Sequence, residues 1–192
     1  MQRPYILEYT SEGIQSYSIQ DLMLKHRELD CTGDLTPEVA GELMLQLRHL
    51  HREDPSAPIT LYINSPGGEV SSGLALYDMM QLASCPIHTV CTGMAASMAA
   101  VLFLAGNQRA MLPHAQLMLH DPLLKQSFSG SALEVDRINQ GLMKTRETLA
   151  SIIAKHSGKS LDEVYAVTCK DTYFDAQEAL DWGLADSILQ KL

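Results

Sequence analysis

The sequence is short of basic residues, of long apolar runs and of paired cysteines, and each shortage excludes something. Lysine and arginine number 14 against 23 aspartates and glutamates, a formal net charge of −9. A chain this acidic lacks the basic footprint with which proteins hold nucleic acid or anionic membrane, so neither is expected as a partner. The longest apolar run, Met94 to Ala105, is about 12 residues and is broken by one hydroxyl, short of the roughly 20 needed to span a bilayer. Met1-Gln2-Arg3-Pro4-Tyr5 leads into neither the apolar core nor the cleavage site of a secretory signal. The cysteines Cys31, Cys85, Cys91 and Cys169 form no C-x-x-C pair, and Cys85 and Cys91 have the apolar neighbours of reduced thiols. The expectation is a cytoplasmic chain with no metal or other cofactor of its own.

What is present is an ordinary globular composition, 46% hydrophobic and 19% charged over 192 residues, enough for one domain with a real core. Strands and helices alternate. Residues 36–52 carry apolar positions at helical spacing behind Thr36 and Pro37; "ITLYIN" (59–64) reads as a buried strand ending in the turn "SPGG". A helix at 71–83, a strand at 87–93, a helix from about Ser97 and a strand at 115–120 follow. This order predicts an α/β fold with a mainly parallel sheet. A polar loop at 123–131 then leads into a helix from Ala132 to His156, about 25 residues or roughly 37 Å. That is long for so small a domain, which favours projection onto another chain over packing wholly on its own core. The last helix is capped by Asp175 and stopped at Gly183, before a final strand.

Ser97 is a lone hydroxyl between a strand and an apolar helix. It is read either as an N-cap or as a nucleophile on a sharp turn, with Gly93, Ala95 and Ala96 leaving open space in front. The glycines of "SPGGEV" make a tight turn, or aim N–H groups at an oxyanion with a second donor from Met98. No G-x-G-x-x-G is present, and the "GKS" at 158–160 follows a helix where a phosphate loop would open one, so no nucleotide site is expected. Among seven histidines His120 stands at the C-terminal end of a strand, where α/β sheets build sites. His88 and His114 are at the wrong ends, and His156 sits at a helix C-terminus where a positive charge suits the dipole. For an orienting acid, Asp121 is adjacent in sequence and points the other way, and Asp175 is committed to capping. Asp171, in the loop between the last two helices, is preferred.

Four segments in order carry a resemblance. "LYINSPGG", "GMAASMAA" and "LMLHDP" resemble the oxyanion loop, nucleophile motif and histidine motif of the proteolytic subunit of the Clp protease, the ClpP-type serine peptidases. "DTYFDAQEALDWGLADSI" resembles their closing segment. The resemblance implies a crotonase/ClpP-like fold of β-α units in one domain over 1–192, with an axial segment at 1–20 and a projecting handle of strand plus long helix at 123–158. It implies Ser97 as nucleophile, His120 as general base and Asp171 as triad acid, with oxyanion donors on the N–H groups of Gly68 and Met98. Substrate would lie along Gly67, Leu123, Leu124 and Lys125. It further implies two stacked heptameric rings, homomeric or mixed, fed with unfolded protein by a AAA+ Clp ATPase that supplies the ATP chemistry.

The alternative is a regulatory or partner-dependent ring subunit that assembles with a more conventional paralogue. Acyl-CoA chemistry on the same fold is disfavoured, because it needs no serine nucleophile. Departures from the family pattern point to a divergent paralogue. Met94, Ala100 and Asp121 replace Gln, Gly and Gln, and Leu123-Leu124-Lys125-Gln126 replaces a glycine-rich handle strand. Arg48, Thr60, Tyr62, Leu82 and Ala110 fall where the apical pocket for ATPase loops is usually apolar; charged Arg48 and small Ala110 weaken it while Tyr62 and Leu82 remain, which predicts altered docking. An anion at Asp121 raises the pKa of His120 if it faces the ring.

Overall fold

The computed structural model describes residues 5–11, 13–124 and 129–191. The chain opens with a hairpin of β1 (Tyr5–Thr10) and β2 (Gly13–Ser18), then α1 (Ile19–Lys25) and β3 (Glu28–Thr32). The units α2 (Pro37–Glu53)–β4 (Ile59–Ser65) and α3 (Val70–Leu82)–β5 (Ile87–Ala96) follow, then α4 (Met98–Leu104), β6 (Gln108–Met111) and β7 (Gln116–Leu119). The rest is α5 (Ala132–Ser157), α6 (Leu161–Thr168), β8 (Thr172–Phe174), α7 (Ala176–Trp182) and β9 (Ser187–Ile188). The α/β alternation expected from the sequence is therefore present, and the strand at 87–93 runs on to Ala96. The opening hairpin, α1, β3, β6, α6 and β8 carry too little periodicity to be read from sequence.

The main sheet runs β3-β4-β5-β6-β9, all neighbours parallel. One feature of β5 positions everything downstream. Its first half, His88 to Cys91, pairs with β6, and its second half, Met94 to Ala96, pairs with β7. β7 in turn pairs antiparallel with β8.

The core forms where the helices cover this sheet. In α2 the apolar spacing buries Ala40, Leu43, Leu47 and Leu50 on one face, while Thr36 caps its first turn. All seven residues of α4 are buried. A helix apolar all round belongs inside, and this one is held between the sheet, α3 and α5. In α5, by contrast, burial is confined to Leu149, Ala150 and Ile153, while Leu133, Val135 and Met143 are exposed. Its N-terminal half thus has an apolar surface with no cover from this chain among the described residues.

Two polar anchors brace the frame. Arg27, at φ 63°, turns its guanidinium onto the end of α2 and the loop after it, donating to the carbonyls of Leu50, Asp54, Ala57 and Pro58 at 2.9–3.1 Å. His156, at the end of α5, departs from the charged residue expected there. Its Nε2 lies 2.9 Å from the Tyr77 hydroxyl, and its pKa is pushed down to about 4 by burial, then by the charges of Lys155 and Arg109. Burial here outweighs the helix dipole, and the ring is neutral.

Arg27→Met leaves four carbonyls without that partner, and the unfolding midpoint is expected to fall by about 5 °C in a thermal melt. For His156, the pKa is depressed from the ordinary 6.5 to about 4. The stability it confers is complete above the unfolded value and is lost as pH falls through the folded one. The melting temperature of the parent should therefore drop between pH 6.5 and 4, and His156→Gln should flatten that part of the profile.

Candidate active site

Strand register brings three distant side chains together. Parallel pairing sets Ala96 beside Met118, and the Ser97 N–H donates to the Met118 carbonyl at 2.9 Å. Ser97 thus lies alongside the end of β7, just before His120. On the other side of β7, Leu119 pairs with Thr172, so the register continued by one residue sets His120 opposite Asp171. The side chains meet accordingly. His120 Nε2 is 2.8 Å from Ser97 Oγ, and His120 Nδ1 is 3.2 Å from Asp171 Oδ1.

Ser97 stands at the N-cap position of α4, yet its hydroxyl makes no capping bond. Its backbone has φ 55° and ψ −124°, a conformation that costs a non-glycine residue about 1–3 kcal/mol. An N-cap serine needs an extended backbone and turns its oxygen onto the helix. Ser97 does neither, and its oxygen is given to the imidazole. Of the two readings left open by the sequence, the geometry excludes the cap.

The "SPGG" turn packs directly against this strained corner. Leu35 N–H donates to the Gly67 carbonyl and Glu69 N–H to the Leu35 carbonyl, both at 2.9 Å. Gly68 lies between those two peptides, so its own N–H points to the opposite side. Beside the turn lies a cavity of about 100 Å³, lined by Gly68, Ser97, Met98 and His120 among others. Gly67 has φ +90°, and a Cβ on it would come within 2.5 Å of the Ala96 carbonyl oxygen and 2.9 Å of the Met98 nitrogen. Glu69 is held on the N–H groups of Ser71 and Ser72 as the cap of α3. Those bonds, Ser72's first, draw its pKa down to about 2.

Several residues stand differently from the sequence reading. Gly93, Ala95 and Ala96 do not leave space in front of Ser97. Ala95 and Ala96 are buried inside the sheet, and a Cβ on Gly93 would meet the Asn64 side chain at 2.6 Å. Their small size admits neighbours: Asn64 Oδ1 accepts from Met94 N–H at 3.1 Å where the β4–β5 register shifts. The open space lies on the glycine side. Leu123 lines the cavity and Leu124 is exposed, while Lys125 lies outside the described residues. Asp121 turns its carboxylate to Arg146 Nε at 2.6 Å.

The rest of the cavity wall went unread in the sequence. Val70, Val101, Leu119, Leu149 and Ile153 make it apolar. The apolar 3–4 spacing of the long helix, Val135, Ile138, Leu142, Leu149 and Ile152, includes Leu149 and misses Ile153, and nothing in it says what Leu149 faces. Among the described residues no cluster of three His, Cys, Asp or Glu side chains is placed to hold a metal.

A hydroxyl bonded to an imidazole whose far nitrogen meets a carboxylate is an arrangement that activates a nucleophile. Gly67→Ala should cut the reactivity of Ser97 toward a fluorophosphonate at least 100-fold, read as adduct formation over time by intact mass, because the added methyl displaces the Ser97 turn by a fraction of an ångström or more.

Comparison with known proteins shows the family. The family model described as Clp protease matches residues 11–192. The ATP-dependent Clp protease proteolytic subunit of Bdellovibrio bacteriovorus is 40% identical over 190 residues, covering 97% of this chain and 90% of that protein. With the family model matched over residues 11–192 and 40% identity across nearly the whole chain, the chain belongs to the Clp protease family.

Proposed function

We propose that this chain is a serine endopeptidase, the proteolytic subunit of an ATP-dependent Clp protease. The observation that carries the reading is the Ser97–His120–Asp171 chain of contacts at 2.8 and 3.2 Å. His120 Nε2 takes the Ser97 proton as Oγ attacks the peptide carbonyl, and Asp171 holds the imidazole through Nδ1–H and stabilises its charged form. The oxyanion is received by the N–H groups of Gly68 and Met98. His120 then returns the proton to the leaving amine, and water resolves the acyl-enzyme by the same steps. The apolar wall of Val70, Val101, Leu119, Leu149 and Ile153 suits an apolar side chain on the acyl side of the cut.

The unit that works is an assembly. Exposed Leu133, Val135 and Met143 on α5 give that helix an apolar face suited to a second copy, consistent with two stacked heptameric rings. ATP is spent by a partner AAA+ ATPase, which unfolds the substrate and delivers it. Exposed Arg48 and the small Ala110 are where its docking differs from the family habit, while Tyr62 and the exposed Leu82 keep apolar surface there.

The test is intact-mass labelling of the assembled protein with a fluorophosphonate. One adduct per chain is expected on the parent and none on Ser97→Ala. A parent that takes no adduct, or a variant that still does, overturns the reading.

A further inference from the structure

The carboxylate next to His120 is engaged by a residue from the long helix. Arg146 Nε donates to Asp121 Oδ2 at 2.6 Å, with both side chains mostly buried. The same guanidinium lies over the ring of Tyr165, 4.0 Å from its centroid. Tyr165 belongs to α6, whose Thr168 carbonyl accepts from the Asp121 N–H at 2.7 Å. From Thr168 the chain runs only three residues to Asp171, and the Thr172 hydroxyl ties the start of β8 back to Val167 at 2.7 Å. Asp121 therefore continues the strand that carries His120, and Tyr165 begins the turn of helix that delivers Asp171. Arg146 touches both.

We propose that Arg146 is a positioning residue for the His120–Asp171 pair, acting through Asp121. It clamps the two carriers at a fixed separation and keeps the Asp121 carboxylate turned away from the imidazole. The clamp matters because Asp171 has little packing of its own: its side chain is 60% exposed and is held by its contact to His120. A planar guanidinium satisfies both demands at once, one edge bonding the carboxylate and one face covering the aromatic ring. Removing it frees both carriers and leaves a second carboxylate unpaired beside His120. The groups in contact with that ring are Asp171 and Ser97, and next in the chain to it is Asp121 with Arg146 from α5.

The inference rests on Ser97 being the nucleophile, and one assay separates the two claims. The rate of fluorophosphonate labelling is followed against pH for the assembled parent, Arg146→Gln, Arg146→Lys, Asp121→Asn and the double variant Asp121→Asn/Arg146→Gln. Labelling needs a neutral His120, so its acid limb reports that ring. Arg146→Gln is expected to label about tenfold more slowly, with the acid limb moved up by about half a pH unit, since an unpaired carboxylate favours the imidazolium. The double variant should return the limb to the parent position while staying slow, and Arg146→Lys should recover the limb and part of the rate. Asp121→Asn alone should be slow with no upward shift. A merely structural role would slow all variants alike without moving the limb, and that outcome overturns the proposal, as does Arg146→Gln labelling at the parent rate. If circular dichroism shows Arg146→Gln unfolded, the decision passes to Asp121→Asn and Arg146→Lys, and parental rates in both overturn it. An unlabelled parent instead sinks the peptidase reading, and this inference with it.

Discussion

The site depends on the position of one short strand. β7 is four residues long, and it is held in parallel by the end of β5 and antiparallel by β8. Backbone hydrogen bonds set both registers, and a slip of one residue on either side would turn the side chains to the opposite face. With the registers as they are, the residue after β5, the residue after β7 and the residue before β8 converge at one point. Those residues are Ser97, His120 and Asp171. Main-chain pairing thus does most of the alignment, and the side-chain bonds complete it.

The strained backbone at Ser97 follows from the same constraint. The turn must leave β5 sharply enough to present the hydroxyl to β7's end, and it must also start α4 at once. Strain of that kind persists only where the surroundings over-determine it. Here the wholly buried α4 fixes one side, and the close approach of Gly67 fixes the other. The glycine turn has a second effect, since its pairing with Leu35 fixes Gly68 in the cavity wall. Packing and strain are consequences of one corner.

Around this corner the long helix has two roles along its length. Its C-terminal half supplies Leu149 and Ile153 to the cavity and Arg146 to Asp121; its N-terminal half leaves an apolar face outward. The charge of Asp121, next to His120 in the chain, is matched within this chain by Arg146, so the feature that looked disruptive in the sequence has its own counter-ion.

The sequence by itself determined the α/β alternation, the end of each long amphipathic element and the three candidates Ser97, His120 and Asp171, because periodicity and turn residues are local signals. The four ordered motifs determined the family. What Gly93, Ala95 and Ala96 make room for, the neutrality of His156 and the Arg146–Asp121–Tyr165 junction were decided only in three dimensions. Each depends on which neighbours arrive from far along the chain. A residue's size and charge are written in the sequence, but burial, which overrode the helix dipole at His156, and the direction of a side chain at a strand end are set by packing. The approach of α5 and α6 to the end of β7 has no local signature, and it decides how His120 and Asp171 are held.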